Sequence, residues 1–166
     1  CMKQLSTCKV LLLQLDTTGF EIAKCLVLTG IQQIYLYDPR IPTSADIGLN
    51  IALQKNSKES IAQQSKNYLD ELNPFVTISV VSEYTSILDN HTIDVCIQTN
   101  LENPLQLSSF CHNHNIVYIF GYQYNLLGYI FNDFGSHTIH NSNGEKPLSA
   151  YVKTISKKNT ILKIEL

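Results

Sequence analysis

Lys9-Val10-Leu11-Leu12-Leu13-Gln14-Leu15-Asp16-Thr17-Thr18-Gly19-Phe20-Glu21-Ile22-Ala23-Lys24-Cys25-Leu26-Val27-Leu28-Thr29-Gly30 decides the fold. The run from Lys9 to Leu15 is almost continuously apolar, as in a strand of a parallel sheet covered on both faces. Ile22, Cys25, Leu26 and Leu28 then recur at roughly helical spacing. Thr18-Gly19-Phe20-Glu21 fits a capping box that would satisfy the first free amides of a helix over 20–28. Gly30 can end that helix in the left-handed conformation.

Working outward, Ile34-Tyr35-Leu36-Tyr37 reads as a second strand closed by Asp38-Pro39, which completes a βαβ unit. Residues 39–56 carry two prolines and little periodicity and read as an irregular crossing segment. Ser57 to Leu72 places Ile61, Tyr68, Leu69 and Leu72 on one face of a surface helix capped by Ser57 or Asn56. Val76–Val81 and Asp94–Gln98 read as strands, Pro104 to His114 as a helix, and Val117–Phe120 as a fifth strand. Strands alternating with helices in this way predict a Rossmann-like α/β fold with a doubly wound, mainly parallel sheet. After Gly121 the pattern becomes short strands and turns, including Asn143-Gly144, a strong hairpin signal. The division expected is an α/β domain over 1–136 and an incomplete all-β domain over 137–166, with a short antiparallel extension at the C-terminus; the chain reads as an excised fragment.

Among 166 residues, twelve Lys and Arg stand against fourteen Asp and Glu, a net charge of -2, and no basic cluster exceeds Lys157-Lys158. This argues against a nucleic-acid partner. No apolar run approaches the ~20 residues of a membrane helix, so no membrane partner is expected. Five cysteines at irregular spacings, with Cys25 and Cys96 inside apolar runs, read as free thiols in a reducing compartment.

In a nucleotide-binding fold of this type the first strand is followed by Gly-x-Gly-x-x-Gly, whose glycines permit the turn, the approach of phosphate and the packing of the helix. Here Gln14, Asp16 and Gly19 occupy those places, and only the packing glycine remains. Asp16 would set a carboxylate against phosphate, a repulsion of about 4 kcal/mol at ~4 Å for an effective dielectric of 20. No cofactor is therefore expected to bind this fragment. Asp38 stands where a ribose-binding acid would, although Asp-Pro also simply starts turns.

Several segments together resemble the N-terminal inactive adenylation domain of the single-chain ubiquitin-activating enzymes. Cys1-Met2-Lys3-Gln4-Leu5 is similar to that family's Ala-Met-Lys-Arg-Leu, and Gly19 to Leu26 is similar to its Gly-Val-Glu-Ile-Ala-Lys-Asn-Leu. Phe110-Cys111-His112-Asn113 resembles its Phe-Cys-His-x, and Leu126 to Gly135 its Leu-Phe-Gly-x-x-Phe-x-Asp-Phe-Gly. Ser142-Asn143-Gly144-Glu145-Lys146-Pro147-Leu148-Ser149-Ala150 is nearly identical to the opening of its first catalytic-cysteine half-domain. The resemblance implies a ThiF-like pseudo-adenylation domain without catalytic residues. It also implies that the full-length enzyme, cytoplasmic and also nuclear, adenylates ubiquitin with ATP and magnesium in an active adenylation domain of the same polypeptide, then forms a thioester. A family arginine belongs to a segment before Cys1, and Lys55 leaves open whether it substitutes.

Other constellations read as structural. Cys111-His112-x-His114 lacks a second pair at zinc-ligand spacing, so Cys111 is expected against the sheet and the histidines in solvent. His137 and His140 would fall on opposite faces of a strand. Tyr122, Tyr124 and Tyr129 near Asn125 fit a binding loop or edge packing equally. Ile47, Leu49, Ile51 and Leu53, with Lys55, are read as the face meeting the active domain. The competing function is a stand-alone adenylating or nicotinamide-dependent enzyme with a divergent phosphate loop.

Overall fold

A computed structural model describes residues 5–90, 92–124, 126–136, 151–156 and 161–165. The chain divides into two compact units, Cys1–Gly135 and Ser136–Leu166. In the first, β1 (Lys9–Leu13), β2 (Gln33–Tyr37), β3 (Thr77–Val80), β4 (Val95–Gln98), β5 (Val117–Tyr124) and β6 (Leu127–Asp133) form one sheet in the order β3-β2-β1-β4-β5-β6. β1 to β5 pair in parallel and β6 pairs antiparallel to β5. The mainly parallel α/β fold is thus as the sequence predicts.

β1 is central, and all of Val10, Leu11, Leu12 and Leu13 are buried. Alternation sends Val10 and Leu12 to one core and Leu11 and Leu13 to the other. The first core is covered by α1 (Thr17–Thr29) through Phe20, Ala23 and Val27 and by α3 (Ile61–Leu72) through Ile61, Ala62 and Leu69. The second is closed by Leu88 of the short α4 (Thr85–Asp89) and Cys111 of α5 (Pro104–Asn113), with Cys96 and Tyr118. Helices on both faces make the sheet doubly wound.

Local details correct several expectations. α1 begins earlier than expected, because Asp16 is its N-cap and its side chain accepts from the Gly19 N–H at 2.8 Å. A carboxylate at that position satisfies an otherwise free amide and sits favourably at the positive end of the helix. Gly30 ends α1 as expected, at φ 80°. α3 is capped by Ser60, whose hydroxyl accepts from Gln63 N, rather than by Ser57 or Asn56. The crossing segment contains α2 (Ser44–Leu49), started by a capping box between Thr43 and Asp46. Cys25 is exposed, since the inward face of α1 runs through residues 20, 23 and 27.

The second unit shows β7 (Tyr151–Ser156) antiparallel to β8 (Ile161–Glu165), with a bulge between Val152 and Thr154. The expected strand over 137–141, His137, His140 and the Ser142–Ala150 block lie outside the described residues. Among the described residues no helix is long and apolar enough to cross a membrane.

Candidate functional site: the turn after the first strand

The chain winds outward from β1 to β3 and then returns to β4 on the other side, so β1 and β4 flank the topological switch point. Ligands of such sheets sit outside the carboxyl ends of the strands at that point. The β1–α1 turn, the end of β2 and the β4–α5 loop meet there.

Gln14 leaves β1 at φ 71°, in the left-handed region that favours glycine. It is held by its own N–H, which donates to Tyr37 O at 2.8 Å, and by its carbonyl, which accepts from Thr99 Oγ1 at 3.2 Å. That carbonyl points at Gly19, where a Cβ would lie 2.2 Å from it. Gly19 is therefore required by contact with the preceding turn. Asp16 occupies the N-terminus of α1, and the Gly19 amide, the group that would face an anion, is already donated to it. Burial raises the Asp16 carboxyl above its ordinary range, only partly offset by the Gly19 N–H, the Thr99 hydroxyl and Arg40.

Asp38 is buried and both of its oxygens are engaged. Leu15 N donates to Oδ2 at 2.9 Å, Arg40 Nε to Oδ1 at 2.9 Å and Arg40 Nη2 to Oδ2 at 2.7 Å. The residue at the ribose-acid position thus does more than begin a turn: it ties the end of β2 to the β1 turn. Arg40 also reaches Asp46 of α2 at 4.0 Å. On the other side, buried Gln98 accepts from Tyr118 Oη at 2.7 Å and donates to Asn100 Oδ1 at 2.6 Å and Glu102 O at 2.7 Å. Burial pushes the Tyr118 phenol well up, keeping it a donor.

The crevice left between Gln14, Tyr37, Asp38, Pro39, Arg40, Asn100 and Glu102 has a volume of about 100 Å³. Small-molecule sites usually offer roughly 300–1,000 Å³. Its carboxylate Asp38 is paired with Arg40, and at the neighbouring head of α1 the Gly19 amide is already donated to Asp16. Among the described residues there is no cluster of three or more His, Cys, Asp or Glu side chains able to hold a metal.

The structure separates the other candidates. Cys111 is fully buried and His112 and His114 are exposed, with His112 Nδ1 3.0 Å from Asp133. Of the expected partner face, Leu53 is 7% exposed and belongs to the core, and Ile47 is partly buried against it. The reason is a turn where an alternating strand would have been needed. Leu53 N donates to Asn50 O, Asn50 Oδ1 accepts from Ala52 N, and buried Gln64 of α3 pins Gln54 N. Leu49, Ile51 and Lys55 remain exposed. Tyr122 and Tyr129 face each other across the β5–β6 pair. Arg40, Gln98 and Thr99 escaped the sequence reading, although Asp-Pro-Arg and the polar Gln98-Thr99-Asn100 after an apolar run are visible signals.

The chain is similar to known proteins both in shape and in sequence. A crystal structure of E. coli MccB with succinimide superposes with a TM-score of 0.61 over 73% of this chain and 39% of that one, at 18% identity. The class is thus a Rossmann-like α/β fold shared with MccB. In sequence, human ubiquitin-like modifier-activating enzyme 1 is 34% identical over 162 residues, 95% of this chain and 15% of that protein. Ubiquitin-activating enzyme E1 1 of Schizosaccharomyces pombe is 32% identical over 99% of this chain, and SUMO-activating enzyme subunit 1 of Dictyostelium discoideum is 32% identical over 75% of it. The chain is homologous to the ubiquitin-activating enzymes and spans about 15% of their length. No protein-family model matches it.

Proposed function

We propose that this chain is the non-catalytic, adenylation-like half of a ubiquitin-activating enzyme, a scaffold that pairs with an active adenylation domain of the same polypeptide. One observation carries the reading: the phosphate turn is filled by the protein itself, with Gln14 in a glycine conformation, its carbonyl against Gly19, and the Asp16 carboxylate on the Gly19 amide. An enzyme that used this turn for ATP would leave that amide free. In the whole enzyme, ATP and magnesium would be bound by the active domain, ubiquitin would be adenylated there, and its acyl group would pass to a cysteine elsewhere. Residues 137–166 would begin the first catalytic-cysteine half-domain, and the enzyme would work in cytoplasm and nucleus.

Exposed Leu49 and Ile51, beside Lys55, are the part of the crossing segment free to meet the active domain. Co-purification of the chain with that domain, supplied separately, tests the pairing. Ile51→Asp should weaken the complex without changing the melting temperature of the chain. ATP–pyrophosphate exchange by the chain alone in the presence of ubiquitin would overturn the scaffold reading.

A further inference from the structure

The crossing segment is pinned at both ends and loosely held between them. At one end buried Asp38 accepts from Arg40 Nε at 2.9 Å and Nη2 at 2.7 Å, and the Arg40 carbonyl accepts from Ile61 N at the head of α3. At the other, Asn50, Ala52 and Leu53 are buried. Between them α2 buries none of its six residues, and Ile47 is only partly buried against the first core. Among the described residues no helix or strand packs extensively on α2. A helix of this length has little stability of its own. Besides Ile47, what ties it to the body is charge: Asp46, whose Oδ2 accepts from Thr43 N at 2.8 Å to start the helix, turns Oδ1 to Arg40 Nη1 at 4.0 Å. A solvent-exposed pair of this kind is weak and is screened by salt.

We propose that α2 is a strap, latched to Arg40 through Asp46, that opens on its own while the sheet stays folded. Leu49 travels with it, whereas Ile51, set between buried Asn50 and Ala52, stays in place. Elements with few buried apolar contacts open locally at a fraction of the free energy that unfolds the core. The consequence for pairing rests on the reading that Leu49 and Ile51 meet the active domain. Only the latched population presents both side chains together, so the apparent affinity is reduced by the latched fraction, and contact with the partner closes the strap.

Native-state amide exchange of the 166-residue chain tests this without the active domain, so failure here and failure of the scaffold reading are distinguishable. The amides of Ile47 and Asn50, which donate to Thr43 O and Asp46 O, should be protected and yet exchange roughly 100-fold faster than those of β1. Their rates should scarcely depend on low urea, because opening α2 exposes little surface, whereas the β1 rates should climb steeply. Asp46→Asn keeps an acceptor for Thr43 N and removes the charge, and should speed both amides about 3-fold. Added salt should speed them in the natural chain and not in Asp46→Asn. Should Asp46→Asn melt early, Gly48→Ala is read instead: its Cβ would meet nothing within 4 Å, and it should slow both amides about 3-fold. Ile47 and Asn50 amides that share the rate and urea slope of β1, amides with no protection at all, a salt response equal in the natural chain and Asp46→Asn, or exchange indifferent to Gly48→Ala would overturn the proposal.

Discussion

At the scale of single residues the β1–α1 turn is held by three residues that each answer a backbone demand. Gln14 tolerates φ 71° because both its peptide groups are bonded, to Tyr37 and Thr99. Gly19 has no alternative: a Cβ 2.2 Å from the Gln14 carbonyl forces the turn to move. Gly19→Ala should therefore cost about 3 kcal/mol by overpacking, read from urea unfolding; a loss below about 0.5 kcal/mol would mean that the turn is pliable. Asp16 supplies a pH signature. Its carboxyl is raised in the folded state, chiefly by burial, so the folded protein binds that proton more tightly than the unfolded chain does. This contribution favours the fold below the unfolded carboxylate value and declines as pH rises through the raised one. Asn caps as well as Asp, so the melting temperature of Asp16→Asn relative to the natural chain should climb as pH rises from about 3 to 7. A constant difference would refute the shift. Asp46 works in the other sense. Burial would raise it, but the Thr43 hydroxyl and amide and Arg40 outweigh this and hold it low, so its contribution is lost on acidification.

At the scale of elements the joint between β1 and β2 depends on Asp38. Removing it orphans the buried Leu15 N–H and frees Arg40, so Asp38→Ala should lose roughly 1–3 kcal/mol, while Asp38→Asn, which keeps an acceptor, should lose less. Equal losses would show that the hydrogen bond to Leu15 contributes nothing. The crossing segment gives a sharper contrast. Leu53→Asp places a charge in the core and should cost more than about 4 kcal/mol, whereas the exposed neighbour Ile51→Asp should stay within about 0.5. Thermal melts of the two separate core from surface in one experiment.

These elements also show what the sequence made legible. The apolar run at 10–13, the helical spacing after it and Gly30 are sufficient for the central βαβ unit, because burial on both faces leaves only Lys9, at its start, polar in the strand. Asp16 was read as a charge against phosphate and is equally a helix cap, a role that spacing alone would have revealed. α2 was hidden behind Pro39 and Pro42, although Thr43-Ser44-Ala45-Asp46 carries its capping signal. Leu53 could not be placed from sequence, since its burial depends on Gln64 of a later helix pinning the segment. Gln98 acts through Tyr118, 20 residues further along the chain, so local periodicity does not give its role, whereas Arg40 pairs with Asp38 only two residues away, within the Asp-Pro-Arg signal.

At the scale of the whole molecule, the first unit has the sheet order β3-β2-β1-β4-β5-β6 with helices on both faces, and the Gly19 amide at the head of α1 is held by Asp16. The human and Schizosaccharomyces pombe relatives are about six times longer than this chain. The scaffold account depends on the turn being unable to accept a nucleotide. Isothermal titration of the 166-residue chain with millimolar ATP and magnesium measures this directly. The account expects no saturable heat, from the natural chain or from Asp16→Asn, because Gln14 and the small crevice remain; saturable one-site binding that tightens in Asp16→Asn would contradict it.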